Sequence, residues 1–224
     1  MAMNRRDFLR MSAAFTAAGM LPSLFAATKE QFTIYGAPAM PSVTIAVAAA
    51  QGKLAKQADV ALEIWRSPDQ LRAGVASGQF KVMMSPSNVG VNLRNQGQQV
   101  GMVNILTNGI TQLMCKSTPI TSPQELVGKK ILVPFKNDMP DIVLQALLKK
   151  LNIDINKVDI TYAATPTEAI GLFLLKDFHA AILPEPMASA VVQKAKIVGT
   201  EIVRGFDLVK EWGQAFNTKP LIPM

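Results

Sequence analysis

GKKILVPFKNDMPDIVLQALLKKL, residues 128–151, carries the pattern that decides the fold. Lys130 to Val133 reads as a strand, with Ile131, Leu132 and Val133 a short apolar run, the mark of a buried strand. A break follows at Pro134-Phe135-Lys136-Asn137. From Asp138 onward the apolar residues recur at helical spacing, with Val143, Leu144, Leu147 and Leu151 on one face. Asp138 suits the cap of that helix and Pro140 its first turn. Strand, polar turn and helix make half of a βαβ unit.

The same unit recurs in both directions. Toward the N-terminus the pattern predicts strands over 32–35, 60–65, 82–84, 100–106 and 113–115. Helices are expected over 41–53, from Ser67 onward, and from Pro86 to about Gln96. The first of these puts Val43, Val47 and Ala50 on one face. Toward the C-terminus strands are expected over 158–162, 180–183 and 201–204. Helices are expected from Thr165 to about Lys176, from Pro184 to about Lys196, and near 208–212. Ser122-Pro123-Gln124-Glu125 and Thr165-Pro166-Thr167-Glu168 read as capping boxes. Strands alternating with helices at this spacing imply parallel sheets covered by helices. Asn108-Gly109 interrupts the pattern. The expected division is a leader over 1–27, a first lobe over 28–108, a second lobe over 109–200, and a segment over 201–224 that returns to the first lobe.

The leader has the parts of an export signal: a charged start, a short apolar run over 11–21, and small residues at Ala26 and Ala27. Arg5-Arg6 followed by Phe8-Leu9 resembles a twin-arginine signal. Leu24 or Phe25 stands where a small residue is expected before the cut. The apolar run is too short to span a bilayer, and no cysteine lies near it to carry a lipid. A periplasmic, exported chain is expected.

The 224 residues carry a formal charge of +7, of which the leader's arginines and single aspartate supply two. The remaining basic residues are scattered, so nucleic acid is not an expected partner. One cysteine, Cys115, and one histidine, His179, exclude an internal disulfide and a structural zinc site of the four-ligand type.

In open parallel sheets, ligands bind beyond the carboxyl ends of the strands, beside the starts of the following helices. Four such junctions are candidates. Pro38 lies in a loop of small residues and prolines that lets a ligand approach the backbone, or is an ordinary turn. Ser85, Ser87 and Asn88 offer two hydroxyls and an amide at a helix start, for a ligand or for the cap. Phe135 can stack on an aromatic or cationic group. Asp138 and Asp141 suit an ammonium, a protonated ring or a hydrated cation, although the helix dipole is reason enough for both. Glu185, between Pro184 and Pro186, is rigidly placed at a strand end.

These segments, in this order, resemble the nitrate/sulfonate/thiamine-precursor group of ABC-transporter substrate-binding proteins. The carrying stretches are 84–93, 128–135, 138–141, 164–169 and 180–186. The resemblance implies an α/β, two-lobed, periplasmic-binding-protein-like (type II) clamp that closes on a ligand by hinge motion. It implies a small-molecule ligand and an ABC permease in the inner membrane as partners, with the protein a monomer. No cofactor or metal is expected. Members of the group continue well beyond the strand near 201–204, so an incomplete or small first lobe is expected. The ligand should be small and polar or aromatic, with a slight preference for an organic molecule bearing a donor or positive group.

Two other readings compete. One is an enzyme of the same fold acting on a pyrimidine or thiamine-like compound, which needs an activated nucleophile or base. His179 and Cys115 are the candidates, and both read more simply as packing. The other is an exported sensor that feeds a membrane receptor.

Overall fold

The computed structural model describes residues 29–222. The expected leader lies outside the described residues. Among these residues, eight strands form two sheets.

The first sheet holds β1 (Glu30–Gly36), β2 (Ala58–Ile64) and β3 (Val82–Met83) in the order β2-β1-β3, all parallel. Its helices are α1 (Pro41–Gln51), α2 (Lys53–Gln57), α3 (Pro68–Ala76) and α4 (Ser87–Asn95). Its core is small and partly aromatic: Trp65, Leu71, Val75, Phe80, Val89 and Leu93. Tyr35 stacks on Phe80 with centroids 3.6 Å apart, and the Trp65 indole N–H donates to the Met84 carbonyl at 2.9 Å. Gly74 lets α3 lie against the Phe80 ring; a methyl there would sit 2.5 Å from it.

The second sheet holds β4 (Thr111–Lys116), β5 (Lys130–Pro134), β6 (Asp159–Ala163), β7 (Ala180–Pro184) and β8 (Ile202–Arg204), ordered β6-β5-β7-β4-β8. Around it lie α5 (Met139–Lys150), α6 (Pro166–Leu175), α7 (Met187–Ile197) and α8 (Leu208–Phe216). Alternate residues of its strands point to opposite faces. Leu113, Cys115, Ile131, Val133 and Ile182 therefore meet Leu144, Leu147 and Leu148 of α5. Met114, Leu132, Ala181 and Leu183 meet Ile170 and Phe173 of α6 and Val191 of α7. A sheet covered on both faces explains why these strands read as unbroken apolar runs.

Four expectations are corrected. The second sheet is not wholly parallel: β4 is antiparallel to β7 and to β8. The chain enters it at the face where β7 ends, pairing Thr111 with Pro184, so β4 can only run away from that face. Residues 100–106 form no strand; Val103 is fully exposed, and apolar, β-branched residues without a neighbouring edge have no ladder to join. The segment after 200 does not return to the first sheet. Ile202 enters one core of the second unit and Phe206 and Leu208 the other, and α8 packs on α5 and β4. Pro184 ends β7 rather than opening a helix, and α7 begins at Met187.

The apolar face expected for α1 exists but is not covered. Val43 is 55% and Val47 53% exposed, and the helix buries only Pro41 and Ser42. A depression of about 1210 Å³ opens in the first unit, lined among others by Phe80, Val82, Met83, Met102, Val103 and Ile105. No helix of the described residues is long and apolar enough to cross a membrane.

Candidate functional site

The carboxyl ends of both sets of parallel strands turn toward one another, and the loops that leave them are where the two units touch. Each loop is built by local chemistry. Ser67 caps α3 by accepting from the Gln70 N–H at 3.2 Å, while Gln70 Oε1 accepts from the Arg66 N–H at 2.6 Å. That reciprocal box fixes the start of α3 and so the position of Arg72, one turn further on. Asp138 caps α5 by accepting from the Met139 N–H at 2.9 Å. Phe135 and Asn137 before it hold positive φ angles of 61° and 60°, a tight reversal that brings Asp138 back over the helix.

Asp138 is also the centre of the contact between units. Its carboxylate accepts from Asn88 Nδ2 and from Arg72 Nη2, both at 3.2 Å. Its side chain is 4% exposed, that of Arg72 41%. Arg72 reaches Asp69 as well, at 3.3 Å. The Asn88 Oδ1 atom is buried without a partner among the described residues. The amide cannot usefully turn over, because Oδ1 would then face the Asp138 carboxylate.

Asp141, one turn into α5, is fully buried. It accepts from the Asn137 N–H at 2.7 Å, Gln145 Nε2 at 2.8 Å and the Tyr162 hydroxyl at 3.0 Å. Its lone pairs are engaged within the second unit. Burial, then the hydrogen bond and charge of Asp141, push the Tyr162 hydroxyl up to about 12, against a smaller opposing effect of Gln145. Lys136 lies 5.1 Å above the Tyr162 ring.

At the next junction the Met40 N–H donates to the Glu185 carbonyl at 3.0 Å, a second link between units, and the Glu185 N–H donates to the Ile110 carbonyl at 2.8 Å. The Glu185 carboxylate accepts from Arg204 Nη2 at 2.6 Å and the Ser189 N–H at 3.1 Å. Burial raises its pKa, but Arg204 and Ser189 outweigh burial and hold it below the usual carboxylate range. Pro38 is half-buried in the loop that leads to Met40. That loop is tight: the Ser42 hydroxyl donates to the Ala37 carbonyl at 2.6 Å, and a methyl at Gly36 would meet it at 2.6 Å.

The structure thus brings Asn88 and Asp138 into contact and places Pro38 and Glu185 on two loops that meet at Met40. Ser85 and Ser87 stand beside Asn88 and border the depression of the first unit. Phe135 is half-buried at the β5 turn. Sequence reasoning missed Arg72, Tyr162, Gln145 and Arg204. Arg72 had one weak signal, a basic residue one turn past a capped helix start. His179 and Cys115 lie elsewhere. His179 Nδ1 accepts from the Lys130 N–H at 3.0 Å, at the opposite end of β5. Cys115 is buried in the sheet, and burial pushes its thiol pKa up.

Residues 40–182 match the profile of the NMT1/THI5-like family. The chain belongs to that family. The matched span holds β2 to β6 and the junctions at Ser85–Asn88 and Phe135–Asp141; Pro38 and Glu185 lie just outside its two ends. Residues 2–22 match the signal sequence of the twin-arginine translocation pathway, as Arg5-Arg6 implied, so the leader is an export signal. No curated protein sequence is significantly similar to the chain. Similar solved structures include an ABC transporter protein from Parabacteroides distasonis, 19% identical with a TM-score of 0.63, covering 81% of this chain and 59% of that one. The periplasmic aliphatic sulphonate binding protein SsuA from Escherichia coli is 14% identical with a TM-score of 0.61, covering 85% and 68%. An ancestral arginine-binding protein bound to glutamine is 16% identical with a TM-score of 0.56, covering 85% and 92%. At these identities the likeness shows the fold, a two-lobed, periplasmic-binding-protein-like one. The chain spans 59% of the Parabacteroides protein's length.

Proposed function

We propose that this protein is an exported solute-binding protein that holds a small polar or aromatic molecule between its two units and delivers it to an ABC importer. The observation that carries this reading is the meeting of strand-end loops from both sheets at Asn88, Asp138, Met40 and Glu185. A ligand there touches both units at once, so binding favours their closure. The reading is supported by the family, by the export signal and by the periplasmic role named for the sulphonate-binding neighbour.

The ligand's chemistry follows from the groups that stand around the meeting loops. Asn88 Oδ1, a buried acceptor without a partner among the described residues, asks for an N–H or O–H donor. Ser85, Ser87, Pro38 and the half-buried Phe135 ring supply small polar and flat apolar contacts. Asp138 is already neutralised by Arg72, and Asp141 is turned inward as support for the α5 turn. The site therefore favours a neutral or zwitterionic organic molecule with a donor over a simple cation. The protein acts as a monomer, with no catalytic role assigned to His179 or Cys115.

Thermal melting from Thr28 onward against sulfonates, nitrate, carboxylates, amines and pyrimidines tests this. A ligand at 100 times its Kd adds about 2.7 kcal/mol. A donor-bearing organic class that raises Tm supports the proposal. A cooperative melt that no class shifts would argue against it.

A further inference from the structure

Opening of the two units has to break a specific set of contacts, and these converge on one carboxylate. Asp138 accepts from Asn88 and Arg72 of the first unit, and its side chain is almost wholly buried. A backbone hydrogen bond, Met40 N–H to the Glu185 carbonyl, joins the units beside it. We propose that Arg72, Asn88 and Asp138 form a latch that holds the units together before any solute arrives, and so sets how often the cleft is open. This rests on the clamp reading.

The chemistry suits a latch rather than a permanent bond. Separation returns Asp138 to water at a helix start, where the Met139 N–H still holds it and the dipole still favours its charge. Arg72 keeps Asp69 as a partner and is already 41% exposed. Both halves are stable apart, so the pair adds a modest preference for closure and not an irreversible one. A half-exposed ion pair contributes about a fivefold change in an equilibrium. A ligand that requires the closed form gains apparent affinity from that bias, in proportion to the closed fraction.

The test needs no ligand, which separates it from the binding proposal. Spin labels at Lys81→Cys and Lys149→Cys, exposed positions on opposite units, report the distance between units in the full-length mature chain. Asp138→Asn keeps a good helix cap and removes the charge; Arg72→Gln leaves the cap untouched. Each should move the closed-to-open ratio toward open by about fivefold, and the double variant should go no further than the larger single, because both break one contact. Unchanged far-ultraviolet circular dichroism and a cooperative melt in Arg72→Gln exclude misfolding as the cause. Identical distance distributions in the parent, Arg72→Gln and Asp138→Asn would overturn the latch, as would additive shifts in the double variant. Solute-induced thermal shifts would survive either result.

Discussion

The two units solve the same packing problem to different degrees. The second has five strands covered on both faces, and Leu113, Ile131, Leu132, Leu144, Leu147 and Phe173 among its core residues are essentially inaccessible. The first has three strands, one of them two residues long, and leaves Val43, Val47, Val91 and Val103 in water. Both carry equally apolar sequence. The difference lies in how many elements are present to bury it, because the segment after 200 adds β8 and α8 to the second unit. Apolar patches of this kind mark interfaces or aggregation liabilities. The second unit therefore buries its apolar residues more completely than the first.

Substitutions in the two units test this contrast. The largest effect is expected at Leu147, fully buried between α5 and the sheet. Leu147→Ala should cost about 2–5 kcal/mol in denaturant melts, whereas Val43→Ala, on the open face of α1, should change stability by less than about 0.5 kcal/mol. Equal costs would mean that α1 is covered in solution.

Next comes capping in the second unit. Thr165 accepts from the Glu168 N–H at 3.1 Å, and Glu168 accepts from the Ala164 N–H at 2.8 Å. Thr165→Ala should lose about 1 kcal/mol.

Tyr162 gives a pH signature confined to the second unit. Its hydroxyl titrates near 10 when unfolded and at about 12 when folded. A raised pKa favours the protonated form in the native state, so the contribution is complete below pH 10 and is lost as the pH rises from 10 to about 12. Urea melts across that window should fall more steeply for the parent than for Tyr162→Phe. Parallel slopes would show that Asp141 does not hold the hydroxyl.

The smallest effect on stability is expected at Val103. Val103→Thr should leave the melt within about 0.5 kcal/mol while lowering the binding of a hydrophobic dye. Unchanged dye binding would place the exposed patch elsewhere.

Much of this contrast was legible locally. The caps at Ser67, Asp138 and Thr165 formed as the residues allow, and Leu144, Leu147 and Leu151 of α5 pack on the sheet as their spacing requires, while Val143 turns to Met139 and Ile222. Local rules failed where the answer depended on a distant partner. Residues 100–106 have strand composition but no edge to join. Ser122 looked like a helix cap, yet its hydroxyl donates to Glu125 at 3.2 Å instead of accepting from the backbone. Asn88 and Asp138 were each singled out, but their contact spans fifty residues and comes from the packing of two units. Arg72 had only its place after a capped helix start to mark it, for the same reason. Its role exists only once α3 and the β5–α5 turn face one another.

The most direct test of solute capture between the units is calorimetric titration of the best compound from the melting panel into the parent and into Asn88→Ala. Capture at the strand-end loops gives saturable one-to-one binding in the parent, weakened in the variant by about 1–3 kcal/mol as the ligand's donor loses its acceptor. Binding of equal strength in Asn88→Ala and the parent would contradict it, placing the solute away from the strand-end loops.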